Sequence, residues 1–303
     1  MNDGCPLCYT KNNTIVYDRL QLQGTLIVKC NHCAHIYTLQ NNPPEIEKLY
    51  STDAYAIVEN RHGFFEKILG WEYKRIVQSI TGLKPCKGQL LDFGCGKGQF
   101  ANIAKTNGWK VKCVETAKKR ALHAKNFYDL EVDTRLYSGG RIFDNDFDVL
   151  TLLHVLEHLQ EPNIILKELI KYNLKKDALI VIEVPNIRSW QSGIAGNNWL
   201  HLDVPRHFHH FTPLSLEKFA SDLNLKTLKS SSFSFHLGVL GMIDSFLKLF
   251  GYRKNIISEL KTKKKLSLII AISLLFSFAF VLETFAISVG RGGIIRKYFI
   301  SCP

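Results

Sequence analysis

Short apolar runs, several closing on an acidic residue, alternate with helix-like stretches between residues 60 and 230. Leu90-Leu-Asp92 reads as the end of a buried strand, and Gln99 to Asn107 as the helix after it. Lys110-Val-Lys-Cys-Val-Glu115 predicts a second strand, Leu130-Glu-Val-Asp133 a short third, and Phe147-Asp-Val-Leu-Thr-Leu-Leu153 a fourth. Ala178 to Asn186 is rich in β-branched residues, as a buried fifth parallel strand should be. Upstream, Arg61 to Ile80 places Phe64, Phe65, Ile68, Leu69, Trp71, Ile76 and Val77 on one broad face, which predicts an amphipathic helix. Pro162 suits the first turn of another helix, and Thr212 before Pro213 is an N-cap with proline at N1. Strand, turn and helix in this order predict an α/β fold with a doubly wound sheet.

Two stretches depart from that rhythm. Leu266 to Leu282 is 17 residues without a charge, and Leu237–Phe250 is a weaker apolar run. A membrane span needs about 20 apolar residues, so reaching that length includes Glu283. Lys261-x-Lys-Lys-Lys265 precedes the longer run. Of the formal net charge of +12, +7 lies in residues 251–303, which hold nine Lys/Arg and two Glu. A basic cluster beside an apolar helix suits an anionic membrane surface, the soluble alternative being a buried or dimer-forming helix.

The candidate chemistry centres on Asp92-Phe-Gly94-Cys95-Gly96-Lys-Gly98. A glycine turn between a strand and a helix lets backbone approach a nucleotide at the carboxyl edge of a sheet. The spacing is G-x-G-x-G, not the G-x-G-x-x-G of dinucleotide folds, which argues against a dehydrogenase. Glu115, 23 positions after Asp92 and at the tip of the second strand, can accept hydrogen bonds from both hydroxyls of a ribose. A strand ending in Asp before this turn resembles motif I of the class I S-adenosylmethionine-dependent methyltransferases. The stretch FDVLTLLHVLEHLQEP and the segment DVPRHFHHFTPLSLEKFASDLNL (203–225) resemble motifs of a large group within that family, which includes quinone and sugar methyltransferases. The likeness spans about 85–230. It implies a seven-stranded, Rossmann-like sheet, with Gly290–Ile300 as the final antiparallel strand between the fifth and the one near Leu225–Ser231.

The cofactor implied by that resemblance is S-adenosylmethionine, held by Asp92, Gly94, Cys95, Gly96, Gly98, Glu115 and His154. Asp92 would anchor the amino acid end through the turn. His154, at the tip of the fourth strand, falls near the methionine end and is a candidate catalytic residue. Some relatives bind a divalent metal through Glu-x-x-Glu-His at this place. Here His154 stands in place of the first carboxylate, and Mg²⁺ prefers oxygen ligands, so that metal is not expected. Residues 187–212, with Trp190, Trp199, His201, His207, His209 and His210, form a long connection over the carboxyl ends of the strands. His207 is the candidate base, since an imidazole titrates near neutrality; the alternative is that these histidines hold the loop together. Tyr55, Arg61 and Tyr73 are candidates for the substrate mouth, or plain surface. Asp133 and backbone near Leu136 to Gly139 are candidates to read adenine.

The chain has eight cysteines and no opening signal pattern, which points to a cytoplasmic, reducing compartment and to metal ligation. Cys5-Pro-Leu-Cys8 and Cys30-Asn-His-Cys33 each place two thiolates on a tight knuckle, and two knuckles complete a tetrahedral Zn²⁺ site. The 21-residue gap between the pairs is slightly long for such a site. Leu26-Ile-Val-Lys-Cys reads as the strand leading into the second knuckle, and His32 and His35 as non-ligands. So small a module has too little core to fold without its metal. A zinc ribbon before this catalytic domain also resembles methyltransferases of polysaccharide gene clusters.

The expected organisation is therefore a zinc-ribbon-like module (1–42), a linker and covering helix (43–84), a methyltransferase core (85–233), an apolar helical insertion (234–290) and a final strand (291–303). The resemblance implies methyl transfer to a small-molecule or glycan acceptor, a sugar of a surface polysaccharide or its lipid- or nucleotide-linked precursor. Quinone or lipid and RNA acceptors are the alternatives, and a cofactor-fold binding module without turnover is the non-enzymatic one. Against RNA, most of the charge excess flanks an apolar helix. Residues 251–290 are expected to associate with the inner face of an anionic membrane. A single crossing is excluded if the last strand returns to the sheet.

Overall fold

The computed structural model describes residues 4–18, 20, 24–40, 64–252, 256, 259 and 266–301. The linker at 41–60 with Tyr55, together with Arg61, the side chains of Phe64 and Phe65, and the basic run Lys261–Lys265, lies outside the described residues. In chain order the strands are β1 (Asn13–Tyr17), β2 (Thr25–Cys30), β3 (Ile36–Gln40), β4 (Gln89–Phe93), β5 (Lys110–Val114), β6 (Glu131–Asp133), β7 (Phe147–Leu153), β8 (Leu174–Pro185), β9 (His209–His210), β10 (Leu225–Ser231) and β11 (Ile294–Ser301). The helices are α1 (Phe64–Leu83), α2 (Gln99–Thr106), α3 (Lys118–Tyr128), α4 (Pro162–Asn173), α5 (Trp190–Ala195), α6 (Pro213–Ser221), α7 (Leu240–Leu249) and α8 (Leu266–Ser288).

These elements cluster into two compact units. One is formed by Leu69–Val184, Leu216–Ser230 and Arg296–Pro303, the other by Met1–Ile68, Pro185–Ser215 and Ser231–Ile295. The second grouping cuts across the expected boundaries, because the connection after β8 joins the N-terminal module and not the sheet.

The first unit is built on a seven-stranded sheet in the order β10-β11-β8-β7-β4-β5-β6. The pairs β4–β5, β4–β7, β5–β6 and β7–β8 are parallel. β11 lies between β8 and β10, the place expected for the last strand. Parallel strands need crossover helices, which cover both faces and force the strands to be apolar throughout. Accordingly Leu179, Ile180, Val181 and Ile182 are fully buried. Ile76, Val77 and Ile80 of α1 pack with Phe100 and Ala104 of α2 against Leu90, Val149 and Val181. Ala121 and Ala124 of α3 pack with Ala101, Cys113 and Val132. Removing each large side chain from water in this way contributes about 1.5–3 kcal/mol. Helix α1 differs from its expected face at Trp71, which is 48% exposed with the Arg75 guanidinium 4.8 Å above its ring. Tyr73 packs edge-on against Phe100 in the core, which makes it a packing residue.

In the second unit β1, β2 and β3 form an antiparallel ribbon, and β9 extends it by pairing with β3. The pairs are Ile36 with His210 and Tyr37 with His209. The connection over 187–212, expected as a loop, thus folds into α5, two 3-10 turns and a strand. Trp199 and Leu202 pack there with Ile27, Ile36 and Ile187. At its end Thr212 Oγ1 accepts from Ser215 N (3.0 Å) and Ser215 Oγ from Thr212 N (2.9 Å), the cap expected before Pro213. In the apolar insertion a π-helical turn at Phe235–Val239 leads into α7, and both pack on one side of α8.

Candidate cofactor site and metal centre

At the end of β4 the chain turns through Gly94 (φ +79°), Gly96 (φ +57°) and Gly98 (φ +82°), the left-handed region that side chains disfavour. The three glycines have different reasons to be glycine. A Cβ at Gly94 would collide with Val155, and one at Gly98 would sit 2.8 Å from Leu130 Cδ1 and 2.9 Å from the Ala124 Cβ. A Cβ at Gly96 would meet nothing within 4 Å, so this backbone faces open space, a cradle that a ligand can approach. Gly94 N and Cys95 N both donate to Val114 O, which ties the turn to the tip of β5.

Glu115 follows that tip and is buried. Its Oε2 accepts from Gly96 N at 2.9 Å and its Oε1 from Ala117 N at 2.8 Å. Each carboxylate oxygen therefore keeps acceptor capacity in a fixed direction, which suits a diol. Asp92 is buried beneath the turn, and Thr151 Oγ1 donates to its Oδ1 at 2.7 Å. Burial, with help from Glu115, pushes the Asp92 carboxyl up to about 7 against the lowering effect of that hydroxyl. The Cys95 thiol is raised by the Cys113 thiol and by burial, and stays neutral. Asp133, the adenine candidate, is engaged by Arg135 Nε at 3.1 and 3.0 Å, which lowers its carboxyl.

His154 ends β7 with φ +57°, a strained backbone for a side-chain-bearing residue. Its neighbour Val155 is the residue that fills the space beside Gly94, so this strand tip packs on the glycine turn. The imidazole lies between two carboxylates, Nε2 at 2.9 Å from Glu183 Oε1 and Nδ1 at 3.2 Å from Glu157 Oε1. Burial lowers its pKa, but the two carboxylates outweigh that and hold it up to about 10. Glu183 also binds the buried Arg296 of β11, which keeps its carboxyl well below the ordinary range despite burial. The ring is therefore placed to donate to both carboxylates. Near neutral pH it is a fixed cation and donor.

In the second unit, His207 is buried, its Nδ1 2.9 Å from His201 O and its Nε2 3.6 Å from Asp203 Oδ2. The carbonyl can only accept, which fixes a proton on Nδ1. Histidines 209 and 210 bind the ribbon instead. His209 Nδ1 meets His35 Nε2 at 2.9 Å, and His210 Nε2 meets Thr38 Oγ1 at 2.9 Å. The Cys5, Cys8, Cys30 and Cys33 sulfurs all lie within 4.8 Å of one another, with Cys5–Cys33 and Cys8–Cys30 at 3.5 Å. None forms a disulfide. Four thiols at this spacing fit a tetrahedral ion with bonds of about 2.3 Å.

A family model described as a methyltransferase domain matches residues 65–230. The chain belongs to this methyltransferase family. It is an S-adenosylmethionine-dependent methyltransferase, and the open cradle at Gly96 with the braced Glu115 fits that cofactor. The ubiquinone biosynthesis O-methyltransferase of Neisseria meningitidis is 25% identical over 166 residues, 50% of this chain and 69% of that one. The protein of the same name from Idiomarina loihiensis is 26% identical over 171 residues, 54% and 68% of the two chains. Among solved structures, a SAM-dependent methyltransferase from Archaeoglobus fulgidus is 18% identical, with 78% of this chain and 98% of that one covered at a TM-score of 0.49.

Two features of the methyltransferase escaped sequence reasoning. Glu183 was visible only as one residue of an apolar strand, and an acidic residue inside such a strand is the signal that marks it. Thr151, the hydroxyl on Asp92, carries no such signal.

Proposed function

We propose that this methyltransferase transfers a methyl group to a hydroxyl of a lipid-soluble, quinone-type ring. The observation that carries the reading is the pair of relatives named as ubiquinone biosynthesis O-methyltransferases, each aligned over more than half of its length. The expected glycan acceptor, a sugar of a surface polysaccharide or its precursor, draws no support from these relatives and becomes an outcome of the test.

When bound, S-adenosylmethionine supplies a methyl group already activated by its sulfonium. The chain's own residues bind and orient. Glu115, held by two amides, accepts from the ribose hydroxyls, and Gly96 admits the cofactor against the turn. Asp92 braces that turn from below and, with Gly94, Cys95 and Gly98, fixes its shape. His154 keeps a positive charge at the tip of β7. His207 is the proposed proton acceptor for the hydroxyl, through Nε2. Holding the nucleophile in line and excluding water is the larger part of the work. The four cysteines hold one structural Zn²⁺, whose binding free energy would be folding free energy for the ribbon.

The test begins with calorimetric titration of the full chain by S-adenosylmethionine. Gly96→Ala meets no atom of the protein, so its strain is limited to the positive φ, about 1 kcal/mol. It should lower cofactor affinity while the protein stays folded, and Gly96→Arg should abolish binding. No binding to folded, zinc-loaded protein would overturn the cofactor assignment. Labelled-methyl transfer is then read on hydroxylated polyprenyl quinones, nucleotide and polyprenyl-linked sugars, and RNA. Transfer to the quinone ring supports the reading, and transfer only to sugar or RNA overturns it. Binding without turnover on any acceptor would favour a binding module. For the metal, one zinc per chain is expected, lost in Cys5→Ser or Cys30→Ser.

A further inference from the structure

Helix α8 is 23 residues, about 35 Å at 1.5 Å per residue. Over Leu268–Ser288 its mean hydropathy is 2.3, yet only 17% of its most apolar window is buried. One side packs on α7 and the π-helical turn through Leu268 and Ala279. The outer side carries Ile270, Leu274 and Val281, flanked by Phe278 and Phe285, whose rings reach Phe246 and Trp190 at 5.5 Å, and by Val289 just past the helix end; all six are 50–77% exposed. Every exposed position from 269 to 289 is apolar or a hydroxyl, and none is charged.

The acid of this helix is turned the other way. Glu283 is fully buried, its Oε1 accepting from Gly293 N at 2.8 Å and its Oε2 from Gln191 Nε2 at 3.1 Å. The exposed hydroxyls of Thr284 and Ser288 donate to helix carbonyls, Phe280 O and Phe285 O, at 2.8 and 2.7 Å. A face with no charge, on which two of the four exposed hydroxyls are returned to helix carbonyls, suits a medium that offers few hydrogen bonds. A soluble helix of this length shows polar residues on its open side. Leu249 and Phe250 at the end of α7 are also open, 61% and 82% exposed.

We propose that this face of α8 docks into an anionic lipid leaflet, the helix lying in the plane of the membrane with its outer side chains in the acyl region. Charge selects the occupant. Residues 251–265, which lead into α8, hold six Lys/Arg and one Glu, a balance complementary to anionic headgroups. Attachment selects the orientation. The helix is held along one side by the cluster with α7, and at its C-terminal end by Glu283 and by the bond from Trp190 N to Arg291 O. A segment fixed to its own unit at its side and its end meets a bilayer sideways and does not cross it. Docking of this kind is independent of which acceptor the enzyme methylates.

The test is co-flotation of the full chain with phosphatidylcholine vesicles, with and without about a third phosphatidylglycerol, a composition chosen so that headgroup charge is the variable. Wild-type protein should float with the anionic vesicles and be weakened by salt. The double variant Leu274→Glu/Phe278→Glu should lose about tenfold or more in partitioning, because two apolar side chains no longer enter the acyl region. Its cofactor affinity should be unchanged. Phe278→Trp should be quenched by brominated acyl chains, and Leu214→Trp, at an exposed site in α6, should not. Absence of flotation by the wild type, undiminished flotation of the double variant, or an unquenched Phe278→Trp would overturn the proposal. So would a concentration-dependent dimer without lipid that the double variant makes monomeric, since a second copy would then be the occupant.

Discussion

His154 is held between Glu157 and Glu183, whereas His35, just before β3, and His210, in β9, lie among aromatic rings, a hydroxyl and other histidines. Two carboxylates keep the first ring protonated up to about 10. Burial, with the nearby His209, drives His35 well below the ordinary histidine range and His210 down to about 3. The same side chain is thus a permanent cation in one unit and a permanent neutral donor–acceptor in the other. A histidine count says little about proton transfer until the surroundings of each ring are known. By that measure His154 is a donor to two carboxylates, while His209 and His210 tie their strand to the ribbon.

The contrast can be broken most strongly at Glu183. Glu183→Gln removes a charge from both His154 and the buried Arg296, and an unpaired buried charge costs about 3–5 kcal/mol. Urea unfolding should show a loss of that order, and a loss below about 1 kcal/mol would deny the ion network a structural role.

Acid should act on the other site. His210 has a depressed folded value, so the unfolded chain binds its proton first as pH falls below 6.5. Stability is then lost progressively down to about 3, at up to about 1.4 kcal/mol per pH unit for one group. His154 has the opposite sign. Its contribution is complete below 6.5 and disappears as pH rises through about 10. Urea midpoints measured from pH 4.5 to 10.5 should therefore fall on both sides, and proton NMR should assign the acid arm to His210 together with His35 and the alkaline arm to His154.

His154→Gln should cost about 1–3 kcal/mol, because it leaves Glu157 and Glu183 without the shared cation. It should leave the acid arm intact and flatten the alkaline one. The smallest effect is expected for His210→Gln, whose amide can still reach Thr38. At pH 8 its stability should lie within about 1 kcal/mol of wild type, while the acid slope decreases by one proton. A parallel loss at every pH would show that ring packing dominates.

The glycine turn, Asp92, Glu115, the five parallel strands and the paired cysteine knuckles were legible because each is local. A turn that needs positive φ, a strand buried on both faces or a Cys-x-x-Cys knuckle constrains residues a few positions apart, and sequence spacing records this. The Thr212–Ser215 cap was legible for the same reason. The long connection over 187–212 was not, because β9 is two residues paired with a strand some 170 positions earlier. A strand so short has no period of its own to detect.

Sequence alone pointed to the family, placed the glycine turn after its strand, and showed that one helix carries far more apolar surface than charge. It could not say which of two glutamates inside apolar elements is a partner of histidine and arginine and which seals the base of a helix. Glu183 and Glu283 differ only in what the folded chain brings beside them, Arg296 and His154 in one case, the Gly293 amide and Gln191 in the other. Only tertiary structure decided the charge of His154, the pairing of β3 with β9 and the face that α8 leaves open. Each depends on groups far apart in the chain, whose mutual field and mutual exclusion of water exist only after folding.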